Sequence, residues 1–133
     1  MTTELSVLAW GCLLAIVHLW LPIRAKTAQY GLKWNMGPRD ETQAPPGPVA
    51  GRLERAQANF FETFPVMIAA VAIVSIAGLG TYWTAVGAWL WLGARILYLP
   101  LYAVGVPVAR SLAWTASVVG VLMLLWPALR AAL

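Results

Sequence analysis

Four long apolar stretches leave this chain few folds other than a bundle of membrane-spanning helices. They run from Leu5 to Ile23, Ala56 to Leu79, Thr81 to Ala103 and Ser111 to Leu129. The second contains one charged residue, Glu62, the third contains one, Arg95, and the others contain none. A helix needs roughly 20 apolar residues to cross a bilayer core about 30 Å thick. A membrane barrel would instead show shorter segments of alternating polarity.

The composition excludes two other classes of protein. Only 11% of the residues are charged and 61% are hydrophobic, whereas an ordinary soluble domain has about 25% charged residues. A soluble enzyme is therefore excluded, and so is a disordered chain, which needs low hydrophobicity. The net charge of +4 does not indicate nucleic-acid binding, because no basic stripe is interleaved with aromatic residues.

The sequence predicts an all-α integral membrane protein, a four-helix up-down bundle in which residues 1–133 form a single transmembrane domain. The predicted helices cover residues 5–24, 53–78, 81–103 and 108–131. Short connections near Gly80 and Pro107 make sequential helices antiparallel neighbours. The only long loop, residues 25–51, is rich in proline and glycine and therefore in helix breakers.

Basic residues predict how the bundle is oriented. The first loop and its margins contain Arg24, Lys26, Lys33, Arg39, Arg52 and Arg55, and the third connection is flanked by Arg95 and Arg110. The second connection has no charge. Cytoplasmic loops carry an excess of Lys and Arg, so we expect the long loop in the cytoplasm and both termini outside. Compact loops favour a bacterial inner membrane.

A polar stripe interrupts the second predicted helix. At about 100° per residue, Arg55, Asn59 and Glu62 share one face. A charge inside a membrane helix is costly and normally faces the bundle interior or an aqueous cavity, where it marks a functional site. The stripe therefore predicts a polar pocket in which Arg55 meets a ligand carboxylate and Glu62 an ammonium. A structural alternative stays open, in which Arg55 and Glu62 pair as a buried clamp that fixes packing.

A second group of polar residues lies around the third connection, in the same membrane leaflet. Arg95, Tyr98 and Tyr102 share a helix face by their spacing, and Arg110 follows in the first turn of the next helix. The simpler interpretation places the tyrosines in an interfacial belt and lets Arg95 extend to the headgroups. Arg110 is less easily explained, because the positive end of the helix dipole repels a cation. An anion near Arg110 would explain its position.

The remaining polar residues predict no metal site. His18, in the first helix, has no second His, Cys or carboxylate spaced to share a metal with it. We expect it to be a neutral, packed side chain. Cys12 is the only cysteine, so no disulfide within the chain is possible.

Residues 55–65, Arg-Ala-Gln-Ala-Asn-Phe-Phe-Glu-Thr-Phe-Pro, closely resemble the signature R-A-x-x-N-x-x-E-x-x-P of the MAPEG family, the membrane-associated proteins in eicosanoid and glutathione metabolism. Residues 95–102, followed by Arg110, are similar to the aromatic and arginine region that joins helices three and four in that family. Chain length, helix count and loop position also match. The resemblance implies a homotrimer that binds glutathione between neighbouring subunits, on the cytosolic side of the membrane.

The resemblance also implies roles for residues of the second helix. Arg55 would bind a glutathione carboxylate, and Glu62 would bind its ammonium group. Gln57 and Asn59 would hydrogen-bond the backbone or the glutamyl end of glutathione.

Four further residues receive roles from the same resemblance. Tyr98 and Tyr102 would line the glutathione pocket. Arg110 would lie by the sulfur as the catalytic residue. Arg24, at the end of the first helix, would be a further carboxylate partner.

Together these expectations describe a membrane glutathione S-transferase-like enzyme. It would activate the glutathione thiol for attack on hydrophobic electrophiles from the bilayer, with peroxide reduction as a side activity. Two alternatives stay open: a non-catalytic glutathione-binding or lipid-binding protein of the same fold, and a small proton-coupled exporter. The exporter is disfavoured because the membrane glutamate of small multidrug exporters lies in the first helix, which has none here.

Overall fold

A computed structural model describes all 133 residues, and every element in it is helical. The chain forms α1 (Thr3–Tyr30), α2 (Leu32–Met36), α3 (Pro48–Ile76), α4 (Tyr82–Val104) and α5 (Pro107–Ala131). All except the short α2 are long and apolar enough to cross a membrane. The predicted all-α class with four membrane-length helices is confirmed.

The long helices pack around a central pair. α3 and α4 contact each other, and both α1 and α5 pack against each of them, whereas the backbones of α1 and α5 do not approach each other closely. The end of α1, the start of α3, the end of α4 and the start of α5 lie at one end of the bundle, which we call the basic end. Arg52 of α3 demonstrates this arrangement, because it hydrogen-bonds the last carbonyls of α4.

Aromatic rings fill the space between α1, α3 and α4. Phe60, Phe64 and Trp91 are buried, and the rings of Phe64 and Trp91 stack with centroids 5.8 Å apart. Gly11 of α1 gives them room, because a Cβ there would lie 3.0 Å from the Trp91 ring. Since lipid is as apolar as these side chains, close packing is what favours association of membrane helices.

Glycines let α4 and α5 approach each other most closely. A Cβ added to Gly120 would lie only 2.8 Å from the backbone nitrogen of Trp91, and one added to Gly87 would lie 2.7 Å from the carbonyl oxygen of Gly120. Small residues at a helix crossing bring backbones into contact. This crossing fixes the rotation of α4 and α5 about their own axes. It thereby determines which side chains the two helices present nearer the basic end.

Helix ends correct the prediction for the long loop. α1 continues through Tyr30 and stops at Gly31, whose φ of 93° suits glycine, while α3 already begins at Pro48. Residues 25–30 and 48–51 are thus helical, and the connection covers only residues 31–47, including α2. The prediction was wrong because the charges after Ile23 end the apolar span without ending the helix. Proline fits the first helical position, where no hydrogen-bond donor is needed.

Polar contacts hold the connection against both helices. Nζ of Lys26 lies 2.7 Å from a carboxylate oxygen of Glu54. The side chain of Gln29 donates to the carbonyl of Pro45 at 3.1 Å and accepts from the backbone N–H of Gly47 at 2.8 Å. These contacts fix the last turns of α1 beside the first turns of α3, where the polar stripe begins.

Candidate functional site

An open cleft of about 590 Å³ lies between α3, α4 and α5 near the basic end. Its lining consists of Arg55, Ala58, Asn59 and Glu62 from α3, Tyr98 and Tyr102 from α4, and Arg110, Ser111, Trp114 and Thr115 from α5. Its volume falls within the range of about 300–1,000 Å³ that is typical of small-molecule sites. Helical spacing brings the α3 residues to one face, and the crossing of α4 and α5 brings the others opposite them.

The structure brings together six of the eight predicted site residues and leaves Arg24 and Gln57 outside the cleft. Gln57 is offset by two positions from both Arg55 and Asn59, so it lies about 200° around the helix from each. Arg24 is exposed, and its guanidinium lies 5.7 Å from the ring centroid of Trp20.

Arg55 and Glu62 stand in the cleft without a charged partner in the chain. Both are exposed, and the one ion pair in the structure joins Lys26 to Glu54. The alternative clamp between Arg55 and Glu62 is therefore not formed within the chain. A cation and a carboxylate separated by two helical turns are both free to meet a ligand.

Arg95 lies behind the cleft and is 1% exposed. One terminal nitrogen donates to Oδ1 of Asn59 at 2.8 Å, and the other donates to the hydroxyl of Thr63 at 2.5 Å. The expectation that Arg95 extends to the headgroups was wrong. α3 offers it two acceptors one turn apart, and these satisfy much of the guanidinium inside the bundle. The spacing of Asn59 and Thr63, one turn apart on α3, is the sequence signal that could have predicted this position for Arg95.

On the α4 side of the cleft, two neighbouring tyrosine rings lie between two arginines, in the order Arg95, Tyr98, Tyr102 and Arg110. The guanidinium carbon of Arg95 lies 5.3 Å from the ring centroid of Tyr98, and that of Arg110 lies 4.5 Å from the ring centroid of Tyr102. The two tyrosine rings are 5.4 Å apart and nearly perpendicular. Tyr98 is only 4% exposed, so it does not belong to an interfacial belt.

The stack on Tyr102 gives Arg110 a reason to lie in the first turn of α5. A cation over an aromatic face gains about 0.5–2 kcal/mol, which offsets repulsion by the helix dipole. Arg110 is half-buried and has no carboxylate partner. Its charge is therefore held at the cleft by a neutral ring and stays available to an anion.

A smaller hollow of about 200 Å³ adjoins the cleft and shares Arg55, Tyr102 and Arg110 with it. Arg52 enters here, donating to the carbonyls of Ala103 and Val104 at 3.3 Å each. Gly105 completes the wall, because a Cβ there would lie 2.8 Å from the guanidinium carbon of Arg52.

Three guanidinium groups therefore meet at the mouth of the cleft, in a hollow that no carboxylate lines. The sequence indicates Arg52 only as one of the basic residues at the margins of the first loop. Ser111 and Thr115 also line the cleft, and they could not be predicted because their side chains carry no signal beyond the spacing of α5. Such a mouth favours a ligand that carries carboxylate groups.

His18 is buried and packed, as predicted. It is 1% exposed, its ring stacks on Phe60 with centroids 4.2 Å apart, and Nδ1 lies 2.9 Å from the carbonyl oxygen of Leu14.

The sequence profile of the MAPEG family matches residues 7–130, which include every residue of the cleft. No curated protein matches the chain.

Proposed function

Because the chain belongs to the MAPEG family of integral membrane proteins, we propose that it is a membrane-bound glutathione S-transferase-like enzyme. One observation carries the proposal. A single cleft combines the unpaired charges of Arg55 and Glu62 with two tyrosines and the cation of Arg110. The family includes glutathione transferases, and glutathione is a zwitterion with two carboxylates, one ammonium group and a thiol.

The charges of the cleft match the charges of glutathione. Arg55 would bind one carboxylate, since a guanidinium suits a carboxylate in geometry as well as charge. Glu62 would bind the ammonium group. The hydroxyls of Tyr98 and Tyr102 would face the middle of the ligand.

Arg110 would activate the thiol. A free thiol has a pKa of about 8.5, and the thiolate is the nucleophile. A guanidinium close to the sulfur lowers that pKa by about 1–3 units, and arginine keeps its own proton even when desolvated. The thiol proton leaves to water and the sulfur lone pair attacks the electrophile, either adding to it or displacing a leaving group. Trp114, 37% exposed on the cleft wall, offers an apolar surface toward the bilayer.

The proposal includes a homotrimer, as the family resemblance implies. The cleft is open on one side, where Arg55 and Glu62 are exposed. A charge facing hydrocarbon costs upwards of about 2.5 kcal/mol, so a neighbouring subunit would cover this side. Arg24 and Gln57 would then serve the cleft of a neighbour. With the basic end on the cytoplasmic face of a bacterial inner membrane, the mouth of the cleft would open to cytosolic glutathione.

The proposal is tested by mixing glutathione with detergent-purified protein in a stopped-flow spectrophotometer and recording the ultraviolet band of the thiolate. We expect a band at neutral pH that saturates with glutathione and is lost in Arg110→Ala. Calorimetry on both proteins separates binding from activation. Binding without a band would favour the non-catalytic binding protein of the same fold, and absence of binding would overturn the proposal.

A further inference from the structure

The buried charge of Arg95 has no carboxylate beside it. Its two terminal nitrogens are held by Asn59 and Thr63, and its Nε has no partner. A buried cation without a counterion is costly. A charge inside a membrane helix normally marks a functional site, and Arg95 contacts two side chains that form the cleft wall, Asn59 and Tyr98.

Arg95 determines which atom Asn59 presents to the cleft. An arginine side chain has only donors, so the atom of Asn59 that faces it must be the carbonyl oxygen. The amide nitrogen then points elsewhere. It makes no hydrogen bond within the chain, and it is not one of the buried unpartnered atoms, which belong to His18, Ser75 and Arg95. Because Asn59 lines the cleft, the cleft meets an N–H donor at this position.

Thr63 fixes the other half of the guanidinium. Its hydroxyl donates to the carbonyls of Asn59 and Phe60 at 3.0 and 3.2 Å. The hydroxyl proton is thereby directed along α3, which leaves a lone pair for Arg95. The donor and the acceptor are therefore determined in each hydrogen bond that leads from the α3 backbone through Thr63 and Arg95 to the Asn59 amide.

We propose that Arg95 is a positioning residue that makes Asn59 a hydrogen-bond donor to the ligand. Asn59 then selects an oxygen acceptor of glutathione, a carboxylate or a peptide carbonyl, and not its ammonium group. Glu62, one turn further along α3, is left as the group for the ammonium. This inference rests on the proposed function and adds to it the role of Arg95 in presenting Asn59 to glutathione as a donor.

Asn59→Asp tests the inference with the smallest change. The aspartate keeps an acceptor for Arg95, so the variant should fold and unfold at a temperature equal to or above that of the wild type. It replaces the donor in the cleft with an anionic acceptor, so we expect glutathione affinity to fall at least about tenfold by calorimetry. Ser75→Ala, which removes a buried unpartnered hydroxyl elsewhere on α3, should leave affinity unaltered.

Analogues of glutathione identify the group that Asn59 binds. Four are compared on the wild type and on Asn59→Asp: one lacking the ammonium group, two each lacking one carboxylate, and one with a peptide carbonyl replaced by a methylene. The loss of affinity caused by Asn59→Asp should be smaller for one of the three analogues that lack an oxygen acceptor. It should persist for the analogue that lacks the ammonium group. If Asn59→Asp binds glutathione as tightly as the wild type, or if the loss disappears only without the ammonium, the inference is wrong.

Arg95 itself is tested by comparing the KM for glutathione with the pH dependence of the thiolate band. Arg95→Lys keeps the charge but offers a point donor instead of a planar fork. We expect KM for glutathione to rise several-fold, with the pH dependence of the thiolate band retained because Arg110 is untouched. Thr63→Val should raise KM in the same direction and Thr63→Ser should restore it. Equal KM in all these variants would overturn the positioning role, and lack of glutathione binding by the wild type would overturn the proposed function together with this inference.

Discussion

The guanidinium of Arg110 lies over the ring of Tyr102, 4.5 Å from its centroid, where the first turn of α5 meets the last turn of α4. The contact ties together two helices that are joined only by Gly105 and Val106. Because the ring is neutral, it holds the cation in place without neutralising it. An anion that enters the cleft therefore meets a charge that is already positioned.

Tyr102→Leu should weaken thiol activation. It removes the aromatic face, worth about 0.5–2 kcal/mol, and lets Arg110 leave the cleft. We expect a smaller thiolate band at saturating glutathione, with a midpoint at higher pH. Tyr102→Phe is the matched control, since it keeps the ring and loses only the hydroxyl, and its band should stay close to that of the wild type. If both variants lose the band equally, the hydroxyl matters and the stack does not.

Glu62→Gln should weaken glutathione binding and leave thermal stability unaltered. A hydrogen bond to a charged group contributes about 1.5–3 kcal/mol, so we expect a ten- to hundredfold rise in Kd, measured by calorimetry. Thermal stability should be unaltered because Glu62 has no ion-pair partner in the chain. An analogue of glutathione without the ammonium group should bind both proteins alike. A lower unfolding temperature with unaltered affinity would instead support a packing role between subunits.

The α3 half of the site could be predicted from the sequence, and the rest only in part. Helical periodicity alone places Arg55, Asn59 and Glu62 on one face, and the fold keeps them there. It also places Arg95 and Tyr98 together on α4. It cannot say which face of α3 they meet, because the rotation of one helix against another depends on packing.

That packing depends on close contacts between residues far apart in the sequence. Gly87 and Gly120 fix how α4 meets α5, and so bring Ser111 and Thr115 to the cleft. The ends of α1 and α3 were mispredicted for a related reason. Hydropathy reports where the chain leaves an apolar environment, whereas Gly31 and Pro48 decide where the helices stop and start.

Gly120→Ala should destabilise the bundle. The new Cβ would meet backbone atoms of α4 that cannot move aside as a flexible side chain can. Overpacking of this kind costs about 1–3 kcal/mol, which we expect to see as a lower unfolding temperature in detergent. Gly93→Ala, within α4 and with open space around the new Cβ, should leave stability unaltered or raise it, because alanine favours helix by about 1 kcal/mol over glycine. Equal behaviour of the two variants would contradict the close crossing of α4 and α5.

Mixing defective subunits tests whether neighbours share a site. Arg24 lies outside the cleft of its own chain, whereas Arg110 lines it. In a symmetric ring, a site built across an interface takes each residue from a different subunit. We expect Arg24→Ala and Arg110→Ala each to lose glutathione turnover when expressed alone. Their co-expression should restore part of it, because some interfaces then combine an intact Arg110 from one subunit with an intact Arg24 from the next. If Arg24 acts within its own chain, no mixed interface is intact and co-expression restores nothing.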